Sequence, residues 1–170
     1  MGRGQLRANI GAERLAFVES LGAHRAVSAD EAARLLPRAF RYAVDCGGDL
    51  ALGGPGTARR PWSVDVRDPR TGRAAHSVRV TAGGVATSGL DIRLWRGPDG
   101  RPRHHLLDPA TGAPVWPGMI AVTAVAPTAL EAEAQAKAAF LRGPAAAEAQ
   151  LRAGLGGAIA PEDGPVRLVG

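Results

Sequence analysis

Apolar and polar positions divide the chain into three regimes: a helical beginning, a long run of short alternating segments, and a helical end with an extended tail. Over 5–21, Leu6, Ile10, Leu15, Phe17, Val18 and Leu21 recur near the 3.6-residue period of one helix face and predict a helix. A second helix is predicted from Ser28 to Leu36. Ser28 and Glu31 have the spacing at which each side chain satisfies a free amide of the first turn. Pro37 ends this helix, since proline cannot continue the hydrogen-bond ladder.

The period then drops to two. Phe40–Val44 reads as a strand that stops at Gly47-Gly48, and further strands are predicted at Trp62–Val66, His76–Val80, Gly84–Thr87, Ile92–Trp95, His104–Leu107 and Met119–Ala126. Gly/Pro turns such as Gly97-Pro98-Asp99-Gly100 separate them. Asp68-Pro69-Arg70-Thr71-Gly72 echoes Asp108-Pro109-Ala110-Thr111-Gly112. In each, Asp can accept backbone amides, Pro presets φ, and Gly supplies the positive φ of a reversal. The first copy reads as a plain hairpin turn. Thr128 and Glu131 open the clearest helix, with Leu130, Ala134, Ala138 and Leu141 along one face and Gly143-Pro144 at its end. A short Ala-rich helix to Leu151 and two weak strands within Ile159–Val169 follow. The layout is a single α+β domain over 1–170: a mostly antiparallel sheet with flanking helices.

A length of 170 residues suits one domain with a proper core, and 45% hydrophobic with 22% charged residues is ordinary for a soluble globular protein. With only three Phe, three Trp and one Tyr, alanine and glycine must do much of the packing. The net charge of +5 rests almost entirely on arginine. These arginines are spread along the chain, with no basic stripe interleaved with aromatics, which argues against a nucleic-acid partner. Cys46, the only cysteine, excludes an internal disulfide and a thiolate metal cluster, and its apolar run reads as a small buried hydrophobe. The start Met1–Arg7 lacks a signal-peptide core, and no window approaches a membrane span. As written, the chain is expected in the cytoplasm; an upstream signal peptide would place it outside.

Candidate chemistry lies at the ends of the predicted strands. Gly47-Gly48-Asp49-Leu50 followed by Gly53-Gly54 reads as a strand running into a glycine-rich loop. Such a loop either lets backbone amides approach a ligand or merely shapes the turn. The hydroxyls of Thr87-Ser88-Gly89 either cap a turn or hold a ligand. His105, three residues before Asp108, is suited to exchange a proton near neutral pH. The structural alternative is that His104 and His105 alternate across a strand, one exposed and one packed.

Taken in order, Tyr42–Leu50, Pro61-Trp62-Ser63-Val64, Val85–Gly89, His105–Gly112 and the helix Glu131–Lys137 resemble the ApbE family, the FAD:protein FMN transferases, over roughly residues 22–145. The resemblance implies a T-fold-like α+β architecture, incomplete at the N-terminus. It also implies transfer of the FMN part of FAD to a threonine of an acceptor protein, with release of AMP and support from magnesium. By the same resemblance Gly47, Gly48, Asp49, Thr87, Ser88 and Gly89 line the flavin site, and Asp108 and Thr111 shape the neighbouring turn. His105 handles the proton and Glu133 is the metal ligand.

This sequence departs from the family pattern in three places. Glu133 and Lys137 stand where the family helix carries Asp and Thr; a glutamate can bind magnesium, but an ammonium has no lone pair to offer. The two read either as an i,i+4 surface pair worth about 0.2–0.5 kcal/mol, or as an ammonium standing in the metal's place. Leu21-Gly22-Ala23-His24-Arg25-Ala26, running on to Asp30, replaces a Gly-Gly-Ser-Ala-Lys-Gly-like segment. The start is also short against the family, so the chain is a fragment, or a second chain completes it, or part of the ancestral site has been shed; if strands are missing, an exposed sheet edge or apolar patch is expected, with another copy pairing there. Two other readings stay open: a flavin-binding protein that does not cleave FAD, and an interaction subunit.

Overall fold

A computed structural model describes residues 7–8, 26–36 and 39–170. The helix predicted over 5–21 lies outside these residues except at Arg7–Ala8. Those two are extended (β1) and pair in parallel with Ala26–Val27 (β2), so the ladder rather than a helix takes up their backbone groups. Helix α1 (Ala29–Arg34) has the predicted capping box: Glu31 N donates to Ser28 Oγ at 3.2 Å and Ser28 N to Glu31 Oε2 at 3.0 Å.

The strands are β3 (Tyr42–Asp45), β4 (Leu50–Gly53), β5 (Trp62–Arg67), β6 (Ala74–Val80), β7 (Gly83–Gly89), β8 (Leu94–Arg96), β9 (Pro102–His104), β10 (Met119–Ala126), β11 (Gly157–Pro161) and β12 (Arg167–Val169). Six of them form one antiparallel sheet in the order β12-β11-β10-β7-β4-β3. With flanking helices, this is the expected α+β class. Leu50–Gly53, expected to run on as a glycine-rich loop, is strand β4. Leu50 and Leu52 face Val80 and Val85 while Ala51 packs against Ala29 and Ala129, so both sides of this short segment are covered. The extended segment predicted at His104–Leu107 instead ends at His104; Leu106 turns into the core and Leu107 makes only an isolated bridge to Pro114.

The two faces of the sheet are covered differently. On one, the β5–β6 hairpin packs Val66 with Ala121, Ala158 and Ala160, and Val80 with Leu52 and Val85. On the other lie α2 (Ala129–Arg142) and α3 (Pro144–Ala153), over a core of Met119, Val122, Phe140, Leu151 and Ile159. A Cβ on Gly84 would run into the backbone of Ala129, so glycine here lets α2 lie directly on β7. The buried stripe of α2 is Ala129, Ala132, Glu133, Ala136, Ala139 and Phe140, whereas Leu130, on the predicted apolar face, is 63% exposed. In a helix this rich in alanine, the fit of small side chains to the sheet decides the face.

Two caps hold the start of α2. Thr128 Oγ1 accepts from Glu131 N at 3.1 Å, and the Asp30 carboxylate accepts from Ala129 N and Leu130 N, each at 3.0 Å, tying α1 to α2. In the predicted capping box, the Glu131 carboxylate takes the Thr128 hydroxyl rather than its amide. Among the described residues β3 and β12 are the sheet edges, and Ile92 and, within β8, Leu94 and Trp95 stand exposed. Among the described residues no helix is long and apolar enough to cross a membrane.

Candidate active site on the helical face

Side-chain alternation along the strands sorts the candidate residues. Asp49 precedes β4 on the parity of Ala51, which packs under α1 and α2, so its carboxylate falls on the helical face. There Glu133 and Lys137, one turn apart on α2, form an ion pair between Lys137 Nζ and Glu133 Oε1. The Glu133 side chain is only 10% exposed against 42% for Lys137, which excludes the simple surface pair. The half-buried Asp49 carboxyl is pushed up to about 6 by burial first and then by the charge of Glu133, with Lys137 pulling it back down.

His105, which follows β9, lies within electrostatic reach of Lys137. Burial pushes its imidazole below the ordinary histidine range, and the charges of Arg93, His104 and Lys137 push the same way. It is therefore the neutral, basic form at pH 7. Its neighbour His104 is packed away: Nδ1 accepts from Leu106 N at 3.2 Å and the ring meets Trp116 edge-on at 4.6 Å. Burial lowers its pKa too. His104 is thus the structural member of the pair and His105 the half-buried one.

Other sequence candidates stand apart from this group. Thr87 and Ser88 point to opposite faces of β7. Thr87 hydrogen-bonds Thr123 at 2.8 Å on the face turned away from the helices, while the buried Ser88 lies on the helical face with Gly84 and Ala86. Gly89 has a packing reason of its own, since a Cβ there would come within 2.9 Å of Ala121, Asp91 and Ile120. Gly47 and Gly48, with φ of 75° and 101°, make the β3–β4 turn, and Gly48 N donates to Asp45 Oδ1 at 2.8 Å. An added Cβ at either meets nothing within 4 Å, so the turn is open above them.

Asp108 and Thr111 are engaged by their own turn. Asp108 Oδ1 accepts from Ala110 N at 2.8 Å and Thr111 Oγ1 from Ala113 N at 3.3 Å. The Asp68–Gly72 turn, which joins β5 to β6 as predicted, repeats these bonds at 2.9 Å and 3.3 Å, and both glycines have φ 68°. Cys46 is half-buried against Ala29, Ala51 and Ala129, and burial, with Asp45, Asp49 and Asp30 nearby, raises its thiol pKa. The expected segment Leu21–Arg25 lies outside the described residues; Asp30, at its end, is the second cap of α2. Sequence reasoning passes over Arg93, and it weighs Lys137 both as a surface partner of Glu133 and as an ammonium in the metal's place. Arg93 lies in an irregular link with no motif, while Lys137 was visible as a departure from pattern.

Glu133 was expected to hold magnesium. Its carboxylate already carries the Lys137 ammonium, and among the described residues no three His, Cys, Asp or Glu side chains are placed to hold a metal ion. With an ammonium on Glu133 that offers no lone pair and repels a second positive charge, these residues do not fit a divalent cation.

Along α2 and the sheet beside it, two carboxylates and an ammonium lie within electrostatic reach of one another, with the His105 imidazole within reach of the ammonium, a set chemically able to meet a charged ligand and exchange a proton. Residues 20–159 match the ApbE family, and the chain belongs to that family. It is 33% identical over 140 residues to a FAD:protein FMN transferase of Klebsiella pneumoniae (strain 342), covering 80% of this chain and 40% of that protein. It is 35% identical over 129 residues to the one of Escherichia coli (strain K12), covering 74% and 36%. The fold is similar to the ApbE protein of Thermotoga maritima (TM-score 0.65, 32% identity, 76% of this chain and 42% of that one). It also resembles the apo flavinyl transferase ApbE of Pseudomonas stutzeri (TM-score 0.59, 25% identity, 76% and 41%). The chain spans about two fifths of the length of these relatives.

Proposed function

We propose that this chain handles FAD in a flavin-transfer reaction, passing the FMN part to a threonine hydroxyl of an acceptor protein. The acceptor oxygen attacks the phosphorus on the FMN side of the diphosphate and forms a new P–O bond. The bond from that phosphorus to the bridging oxygen breaks, AMP leaves with the bridging oxygen, and the hydroxyl proton passes to His105. The observation that carries this reading is His105, an imidazole that burial holds in its neutral form within electrostatic reach of Lys137, in a chain of the ApbE family. A base of this kind contributes about 10²–10⁴-fold to such a step.

Gly47, Gly48, Asp49 and Ser88 are the flavin-side contacts on this reading. Thr87 and Gly89 are left with structural roles, and Asp108 and Thr111 hold the turn that follows His105. The test is AMP release from FAD in the presence of a threonine-containing acceptor, for the wild type and His105→Ala. A loss of a hundredfold or more in the variant supports the assignment, and equal rates remove His105 from it. FAD bound but never cleaved would identify the rival reading, a flavin-binding remnant. A second copy or another chain is the expected companion of β3, an edge among the described residues; a monomer with full FAD affinity and activity removes that expectation.

A further inference from the structure

We infer that the ammonium of Lys137 is the resident cation of this site, a fixed charge that neutralises the diphosphate of FAD where a divalent ion would otherwise be needed. The inference rests on the flavin reading above and names how that site binds its anion. Three observations carry it. First, Glu133 is buried on the sheet side of α2, and a buried carboxylate needs a cation; the one it has is Lys137. Second, the ammonium is half exposed, so with one N–H directed to Glu133 it keeps further donors for phosphate oxygens. Third, its charge is felt by both Asp49 and His105, so each lies within electrostatic reach of the ammonium.

Composition sharpens the point. Of the 21 basic residues other than histidine, Lys137 is the one lysine, the others being arginine. Arginine presents a broad planar fork, whereas lysine ends in a compact point charge on a flexible stem. A compact cation within reach of one buried carboxylate and one half-buried one is what a small metal ion would supply. An ion added here would displace the ammonium from Glu133 and meet a like charge at close range.

The experiment measures FAD affinity of the whole chain by flavin fluorescence in EDTA and in magnesium, with riboflavin, which lacks the diphosphate, as control. Equal FAD affinity within twofold in the two buffers is expected. Lys137→Gln is expected to weaken FAD about tenfold or more, the scale of one lost charge-assisted bond, and to leave riboflavin unchanged. Should Lys137→Gln fold poorly, the paired variant Glu133→Gln with Lys137→Met removes both charges together and carries the same expectation. Because the chain has a single lysine, an amine-reactive reagent read by mass spectrometry reports Lys137 directly, and FAD in EDTA is expected to protect it. FAD binding that needs magnesium overturns the inference alone, as does binding in EDTA that is indifferent to both variants or leaves Lys137 unprotected. A folded wild type that binds FAD in neither buffer overturns the flavin reading together with the inference.

Discussion

Helices α2 and α3 are separated by Gly143 alone, both are rich in alanine, and each carries a glutamate four residues before a basic side chain. Beneath α2 lie β7 and β10, which bury Ala132, Ala136, Ala139 and Phe140 and take Glu133 with them. Helix α3 buries only Ala147 and Leu151, and its Glu148 meets Arg152 and Arg167 on the surface, where both guanidinium groups lower its pKa. Their N-termini differ as well: Thr128 and Asp30 cap α2, while Gly143 gives α3 no side-chain cap. The same local device is therefore a solvated pair on one helix and the centre of the candidate site on the other, because Glu133 falls on the buried stripe of α2 whereas Glu148 falls outside the buried positions of α3.

The largest effects test whether both helices hold one core. Phe140→Ala on α2 should cost about 4 kcal/mol and Leu151→Ala on α3 about 3 kcal/mol in urea unfolding, as for fully buried large side chains. Losses below 1 kcal/mol at both would dissolve that picture. Next comes the contrast between the ion pairs. Lys137→Met should cost about 2–3 kcal/mol by leaving Glu133 buried and unpaired. Arg152→Met should leave the melting temperature where it was, and equal shifts would mean that burial does not separate the pairs.

A smaller effect lies at the caps. Asp30→Ala should destabilise by about 1 kcal/mol through two lost amide partners at the start of α2. No shift in the urea midpoint would show that Thr128 suffices. Smallest is the titration of Asp49, whose folded pKa of about 6 lies above its ordinary 3.8. The folded state then binds the proton more tightly, so this stabilisation is complete below pH 3.8 and is lost as pH rises through 6. Asp49→Asn should remove that slope and add about 1 kcal/mol or less above pH 7, since solvent screens the half-exposed carboxylate. A slope that survives the substitution, in unfolding measured from pH 4 to 8, assigns it to another group.

Much of this was legible in the chain, for identifiable reasons. Met119–Ala126 and the helix opened by Thr128 were read with nearly their observed limits because alternation and capping are local signals. The twin Asp-Pro-x-Thr-Gly turns were legible for the same reason, since each bond in them joins residues two to five apart. By contrast, β4 was hidden: two glycines at its end resemble a loop until β3 and β7 flank it. His105 and Glu133 could be named as candidates, but whether Glu133 would meet a metal or its own lysine could not be read from residue types.

What the sequence determined by itself, then, was the antiparallel α+β class, the positions of caps and turns, and membership of a family through motifs in order. Tertiary structure alone decided which face of α2 is buried, which hydroxyl of Thr87-Ser88 looks toward the helices, and that Lys137 is held on Glu133 beside Asp49 and His105. The physical reason is range. Turns, caps and alternation are settled by neighbours within a few residues, whereas the burial of a charge depends on what lies beneath it. Under α2 that is a sheet drawn from residues 42 to 169.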